Sequence, residues 1–501
     1  MLENLASGFL FILNPASLTA ALAGLLAGVV VGALPGLTAT MAVAVLSPFT
    51  FFMRPEIGIP FLLAVFKAAI YGGSIPAITI NTPGTAAAAA TTLDGYVLAR
   101  RCEAMRALEM SLYASVFGDM ASTLLLIVAA SQLAIIAVRF GSPEFVMLYA
   151  IALTMIAGVS GRNAARACLS AGAGFLIATI GLDPMSGRQR FTFGVPDLIG
   201  GISFVPFLIG LFALSEILVE SESLRRPEEM IEFRRDEPRV TLGDMRRVMP
   251  TLLRSTGIGF FIGVLPGIGA EIACWMAYGT AKRVSRHPEE FGRGSIEGVA
   301  AAESGNNAAC PGDLIPMMVL GIPGDTVTAV LLGAFMAQGL TPGPLLFQKH
   351  SVLVYGFFAI LLISNLMLLG VGFVAIRYFR HITLIPQGLL YPVVASLCFA
   401  GSFAVNSSSF DLVVTLAGGV LGYAMRKTQV PIPPMVIAML VAPGLENALR
   451  QSLLMSDAGL LIFVSRPIAG GMFLALIAAV ALLVWQNLRP APFSGEQEES
   501  A

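Results

Sequence analysis

Residues 34–45 read LPGLTATMAVAV, and residues 265–276 read LPGIGAEIACWM, 231 positions later. In each, a Leu-Pro-Gly step interrupts an apolar run, and small residues follow. A second pair comes next. INTPGTAAAA carries Pro83-Gly84, and LGIPGDTVTAV carries Pro323-Gly324, 240 positions apart. The nine-residue drift fits an insertion in the charged stretch 281–294. A weaker pair joins the Tyr149–Pro184 region to the Tyr391–Pro431 region, with Asn163 and Asn406 in polar breaks. Proline and glycine in an apolar stretch stop a helix and free backbone groups that hydrocarbon cannot satisfy. Such breaks must be buried in protein or line a wet cavity. A single break could be a tolerated kink. Four in matched positions point to function and to two related halves, a common plan for carriers.

The composition around these breaks is that of a membrane protein. Apolar residues make up 56% of the 501-residue chain and charged residues 12%. Mean hydropathy is +0.82. A soluble domain carries about 25% charged residues, so most of this surface must face lipid. Apolar stretches fall near 16–35, 57–75, 108–138, 143–160, 164–182 and 198–219. They resume near 251–276, 314–337, 350–378, 384–403, 409–425, 432–449 and 459–487. At about 20 residues per span, this predicts an all-α polytopic protein with about ten to twelve transmembrane spans plus re-entrant half-helices. Period-2 alternation is absent, against an outer-membrane barrel.

Residues 220–250, ESESLRRPEEMIEFRRDEPRVTLGDMRRVMP, break the pattern with charges of both signs. Hydrocarbon excludes such a segment. Its seven arginines place it in the cytoplasm by the positive-inside rule. The expected organisation is a first transmembrane repeat over 1–219, a cytoplasmic linker over 220–250, a second repeat over 251–487 and a solvated tail over 488–501. The N-terminus lacks the basic region of a cleaved signal peptide and is expected to stay. Net charge is −1, which gives no basic field for nucleic acid. The five cysteines are scattered, and the three histidines form no HExxH pair. Neither pattern marks a metal site.

Each break restarts a helix and so presents free N–H groups and a positive dipole end. The residues concerned are Pro35 and Gly36; Asn81, Thr82, Pro83 and Gly84; Pro266 and Gly267; and Gly321, Pro323 and Gly324. Thr38, Thr85 and Asp325 are expected caps. Facing ends of this kind would bind a carboxylate, and opposed carbonyl ends would suit Na⁺. Ionisable residues inside such regions are functional candidates by default. Glu303, Asn306 and Asn307, in AAESGNNAACPGD, read as an ion or substrate ledge, and Asp94 follows the NTPG helix. Lys67 could meet a carboxylate, pair with an acid or snorkel. Asp119 reads as a hydrogen-bond partner or ion ligand, and Glu271 as a complement to its helix dipole. Ser74, Thr79, Asn81, Thr326 and Thr328 offer neutral donors. The alanine run at 86–90 is credited with close packing.

The stretches YGGSIPAITINTPGTAAAAATTLDGY and GVAAAESGNNAACPGDLIPMMVLGIPGDTVTAVLL, with the two LPG steps, resemble the large transmembrane subunit of the tripartite tricarboxylate transporters, the TctA family. The resemblance covers nearly the whole chain. It implies a secondary carrier of the bacterial inner membrane. Its implied partners are a small four-helix membrane subunit and a periplasmic solute-binding protein that delivers a carboxylate. It implies no cofactor and a coupling ion, Na⁺ or H⁺. Carried over by motif, the ledge residues are Ser74, Asn81, Thr82, Pro83, Gly84 and Thr85, with Asn306, Asn307, Gly321, Pro323, Gly324 and Asp325. One departure is internal: Gly36-Leu37-Thr38 stands where the second copy has Gly267-Ile268-Gly269. An anion channel or a stand-alone carrier remains an alternative. An intramembrane enzyme is disfavoured, because no nucleophile–base motif is visible.

Overall fold

The structure, a computed structural model, describes residues 2–159, 164–183, 185–222, 237–383, 387–456 and 459–488. Asn163, Pro184, positions 223–236 of the linker and the tail from 489 lie outside the described residues. The first segment runs α1 (Leu2–Ile12), α2 (Pro15–Gly32), α3 (Ala39–Thr50), α4 (Pro55–Gly72), α5 (Ser74–Thr79), α6 (Thr92–Arg100), α7 (Ala104–Ala137), α8 (Ser142–Val159) and α9 (Ala164–Ala178). A short hairpin, β1 (Gly181–Leu182) and β2 (Gln189–Arg190), leads to α10 (Phe204–Leu208) and α11 (Ser215–Glu220). The second segment runs α12 (Leu242–Val264), α13 (Gly269–Val284), α14 (Ile296–Ile315), α15 (Thr326–Ala337), α16 (Pro344–Lys349) and α17 (Ser351–Thr383). It ends with α18 (Gln387–Asn406), α19 (Ser409–Lys427), α20 (Pro433–Leu454), α21 (Ile462–Ser465) and α22 (Pro467–Leu488).

The protein is helical and polytopic. Among the described residues, five helices are long and apolar enough to cross a membrane, or six if the bent pair α20–α21 counts as one span. The expectation of ten to twelve counted broken stretches as full spans. One of these holds α15, an apolar helix of 10–17 residues, and α3, which lies between the counted stretches, is another such helix. Both of these restart after a Pro-Gly break, and hydropathy alone does not mark how short they are. Large apolar side chains such as Leu124, Val128, Ile135, Phe261, Leu366 and Leu474 point outward, as a lipid-facing surface requires.

Two helix pairs form the centre by the same device. α2 packs on α4, and α12 packs on α14. A Cβ on Gly28 or Gly32 would lie 2.5 Å from the Val65 carbonyl oxygen or 2.2 Å from that of Ala69. A Cβ on Gly259 or Gly263 would lie 2.1 Å from the Gly305 oxygen or 2.4 Å from that of Ala309. The glycines are 231 positions apart and their partners 240 apart, the same offsets as the Pro-Gly motifs. Only glycine allows backbone on backbone at this distance.

The two segments also cross over. α4 packs on α17 of the second segment, and α14 packs on α7 of the first. Lys67 Nζ, on α4, donates to the Leu361 carbonyl at 3.0 Å, while Asn307, on α14, donates to Ser115 Oγ at 2.9 Å. α3 packs on α15, where the hydroxyls of Thr40 and Thr326 are 2.8 Å apart. α13 packs on the 3-10 turn Ala86–Thr91. Away from this centre, Asp183 of the hairpin pairs with Arg190 at 2.9 Å and with Arg450 at 3.1 Å, and both arginines also meet Glu446. The Met185 backbone N–H, followed by the Arg450 guanidinium, holds the Asp183 carboxyl well below the usual carboxylate range.

Candidate functional site

The four helix restarts meet. A cavity of about 110 Å³ is lined by Thr38–Thr40 at the start of α3, Thr85–Ala87 at the 3-10 turn, Gly267–Glu271 at the start of α13, and Asp325–Val327 at the start of α15. Ile70, Pro433 and Ile437 complete the wall. The chain turns into these starts through left-handed backbone. φ is +88° at Gly36, +56° at Asn81, +86° at Gly267 and +71° at Gly321. Glycine enters that region without a Cβ penalty, and asparagine tolerates it better than most residues. Asn81 is itself exposed, and neither it nor Thr82 lines the cavity. Their contribution is the turn.

The breaks are tied down from below. Gly84 N–H donates to the Gly73 carbonyl at 3.0 Å, and Gly267 N–H donates to the Gly324 carbonyl at 2.6 Å. A Cβ on Gly84 would lie 1.9 Å from the Gly32 carbonyl oxygen. Two of the expected caps form. Thr38 Oγ1 accepts from the Met41 N–H at 3.1 Å, and Asp325 Oδ1 accepts from the Thr328 N–H at 2.7 Å, closing a capping box. The third does not. Thr85 holds the N-cap position, but its hydroxyl has no hydrogen-bond partner among the described residues. The turn that follows is 3-10 rather than α-helical, so its first N–H groups are arranged differently.

Two carboxylates face the same cavity. Glu271 sits in the first turn of α13, and Asp325 caps α15. The structure also accounts for the unequal LPG copies. Gly269 has φ +65°, and a Cβ there would lie 2.9 Å from Asp325 Cβ. Backbone and acid together exclude a threonine at that position, whereas Thr38 occupies an ordinary extended cap conformation. The arrangement combines free helix N–H groups, which attract an anion, with two acids, which repel one.

The polar ledge of α14 stands behind this wall. Glu303 is fully buried and takes hydrogen bonds from Ser74 and Ser115, each at 3.0 Å, and from Thr91. Asn306 donates to the Ala87 carbonyl at 2.9 Å, and Ala87 lines the cavity. Ser74, Glu303, Asn306 and Asn307 therefore brace the 3-10 turn from behind and have no face on the cavity. Asp94 lies elsewhere. Its Oδ1 accepts from the N–H groups of Gly292, Gly294 and Ser295, all at 2.8 Å, and its Oδ2 from the Tyr278 hydroxyl at 2.8 Å. Four donors make it the anchor of the loop before α14. Lys67 is committed too: it pairs with Asp119 at 3.1 Å, both about 1% exposed. Ile70, Pro433 and Ile437 line the cavity without any local motif, since only tertiary packing brings them there, while Thr40 stands in the first turn of the LPG restart, where only the cap Thr38 is singled out from the sequence.

Residues 18–437 match the family model described as tripartite tricarboxylate transporter TctA family. The chain is 35% identical over 491 residues to an uncharacterized 52.8 kDa protein in the TAR-I ttuC' 3'region of Agrobacterium vitis, covering 98% of this chain and 97% of that one. It is also 35% identical over 231 residues to an uncharacterized protein in the TAR-II ttuC' 3'region of the same organism, covering 46% of this chain and 96% of that one. No solved structure matches the chain.

Proposed function

The chain belongs to the tripartite tricarboxylate transporter TctA family, a family of membrane transporter subunits, and from that premise we propose that it imports a small carboxylate with a coupling cation by alternating access. A periplasmic solute-binding protein delivers the substrate, a small four-helix subunit completes the membrane complex, and the site of action is the bacterial inner membrane. The observation that carries this reading is the convergence of four helix starts on one cavity. Their N–H groups receive a carboxylate without a fixed positive charge. Glu271 and Asp325 make that anion welcome only when a cation or proton accompanies it, which gives the cavity a built-in reason for symport. The matched offsets of the Pro-Gly breaks and of the glycine contacts support two homologous halves whose broken helices move against the longer spans.

The test is reconstitution of the chain with the small subunit and the binding protein in liposomes, followed by uptake of labelled citrate and shorter carboxylates. Uptake that requires both the binding protein and an imposed Na⁺ or H⁺ gradient is the expected result. Passive uptake that follows the substrate gradient without the binding protein sinks this reading in favour of a channel or stand-alone carrier.

A further inference from the structure

One buried acid is used neither by the cavity nor by the α14 ledge. Asp313, on the last turn of α14, is 0% exposed. Both of its carboxylate oxygens lack a hydrogen-bond partner among the described residues. No Lys, Arg or His lies within ion-pair distance of it among those residues, and the buried Lys67 is held by Asp119 and the Leu361 carbonyl. An isolated carboxylate in such a place is strongly disfavoured unless a positive charge joins it.

Its surroundings deepen the deficit. The last turn of α12 presses on it: a Cβ on Gly263 would lie 2.9 Å from the Asp313 amide nitrogen. That turn ends in carbonyls and carries the negative end of a helix dipole. The Pro-Gly break presses from another side, where a Cβ on Gly324 would lie 2.7 Å from Asp313 Cα. Pro316 brings no N–H to the carbonyl four residues before it, that of Gly312. The elements packed against α14 carry charges of both signs along their lengths, among them Arg246, Arg247 and Arg254 on α12, Arg106, Glu109 and Asp119 on α7, Lys67 on α4, Glu271, Lys282 and Arg283 on α13 and Asp94 and Arg100 on α6, with Glu297, Glu303 and Cys310 on α14 itself; the charge that acts on Asp313 is that of Asp325 at the break. Lys67 is taken by Asp119, and Asp325 sets a second negative charge close to Asp313.

We propose that Asp313 is a binding site for a monovalent cation, Na⁺ or H⁺, set where the end of α12 and the break at Gly321–Asp325 meet α14. The site is separate from the cavity and lies directly beneath the break that caps α15. Filling it neutralises the charge under Asp325, and emptying it loosens the same break. Its coupling to transport rests on the function proposed above, but the binding itself does not.

The test uses the full chain purified in detergent. Melting temperature is measured in matched NaCl and KCl across a range of pH, for the wild type and for Asp313→Asn. Infrared difference spectra of the wild type are recorded on the same exchanges. A Na⁺ site gives a higher melting temperature in NaCl than in KCl and a carboxylate band that moves with the exchange. A proton site gives a carboxyl band that appears as pH falls, with no difference between the salts. In either case Asp313→Asn loses the response, equivalent to at least about a tenfold loss of cation affinity. Retention of the full response by Asp313→Asn overturns the proposal. So does the absence of any carboxyl change in the wild type, a result that needs no variant to fold. A cation response without uptake in liposomes overturns the transport reading and leaves the site standing.

Discussion

The two Pro-Gly breaks at 81–85 and 321–325 have nearly the same backbone and opposite chemistry. Asn81 and Gly321, 240 positions apart, both turn left-handed. Gly84 and Gly324 are both pressed onto the element before the break. Yet Thr85 stands where the second copy has Asp325, and Gly73 stands where it has Asp313. The first break is neutral and offers a free hydroxyl. The second holds two acids. The two breaks share a left-handed turn and a pressed glycine, and the acids stand on one side alone. The neutral side suits an anionic substrate, and the acidic side suits a cation.

The largest effect expected is on the shared geometry. Gly84→Ala drives a methyl to 1.9 Å from the Gly32 carbonyl, a backbone atom that cannot step aside. Overpacking costs of about 1–3 kcal/mol or more predict almost no monodisperse protein after detergent extraction. Gly324→Ala meets Asp313 Cα at 2.7 Å and is expected to give more protein, with a lowered melting temperature. Equal tolerance at both sites would mean that the Gly32 carbonyl does not pin the first break more tightly than Asp313 pins the second.

The next effect separates the chemistry. Asp325→Asn keeps a good cap but removes a charge from the cavity. The half-saturating cation concentration for uptake is expected to rise roughly 5–150-fold, the range of ordinary coupling energies. Thr85→Val removes the free hydroxyl of the neutral break, and its expected effect is on substrate affinity, with the cation requirement unchanged. A Thr85→Val variant that shifts cation dependence as much as Asp325→Asn would erase the division of labour. Asp94→Asn is smaller and different in kind. It disturbs the four-donor anchor of the loop at 292–295. We expect a stability loss of about 1–3 kcal/mol, read as a lower melting temperature, with uptake per folded molecule preserved.

These contrasts also show what the sequence could disclose. Pro-Gly steps in apolar runs are local and periodic, so the four breaks and the caps Thr38 and Asp325 were legible from the chain alone. The partners of buried polar groups were not. Asp94 looked like a site residue because it follows the NTPG helix. Its real neighbours are about 200 positions away, a contact set by how α6 meets the loop before α14. Lys67 and Asp119 were each ambiguous until α4 and α7 put them 3.1 Å apart. Asp313 was hidden inside CPGD, where a carboxylate reads as one more polar residue of the ledge. Only burial without partners sets it apart. Hydropathy registers apolar length but not where a short helix ends inside it, so the described helices long enough to span number five or six where the apolar stretches numbered more.

The smallest effect lies at the hairpin, outside both breaks, and serves as their control. Asp183 is held below the usual carboxylate range by the Met185 N–H and then by Arg450. A group with a lowered folded pKa contributes stability that is present above its unfolded value, near 3.9 for an aspartate, and is lost as pH falls through the folded value. The wild type and Asp183→Asn should therefore differ slightly in melting temperature near neutral pH and converge in strong acid. The pair network is mostly at the surface, where such bridges contribute little and salt screens them, so the difference should also shrink at high ionic strength without distinguishing Na⁺ from K⁺. A hairpin response that did distinguish the two ions would place a cation site outside the broken helices and undercut the assignment of charge to the second break.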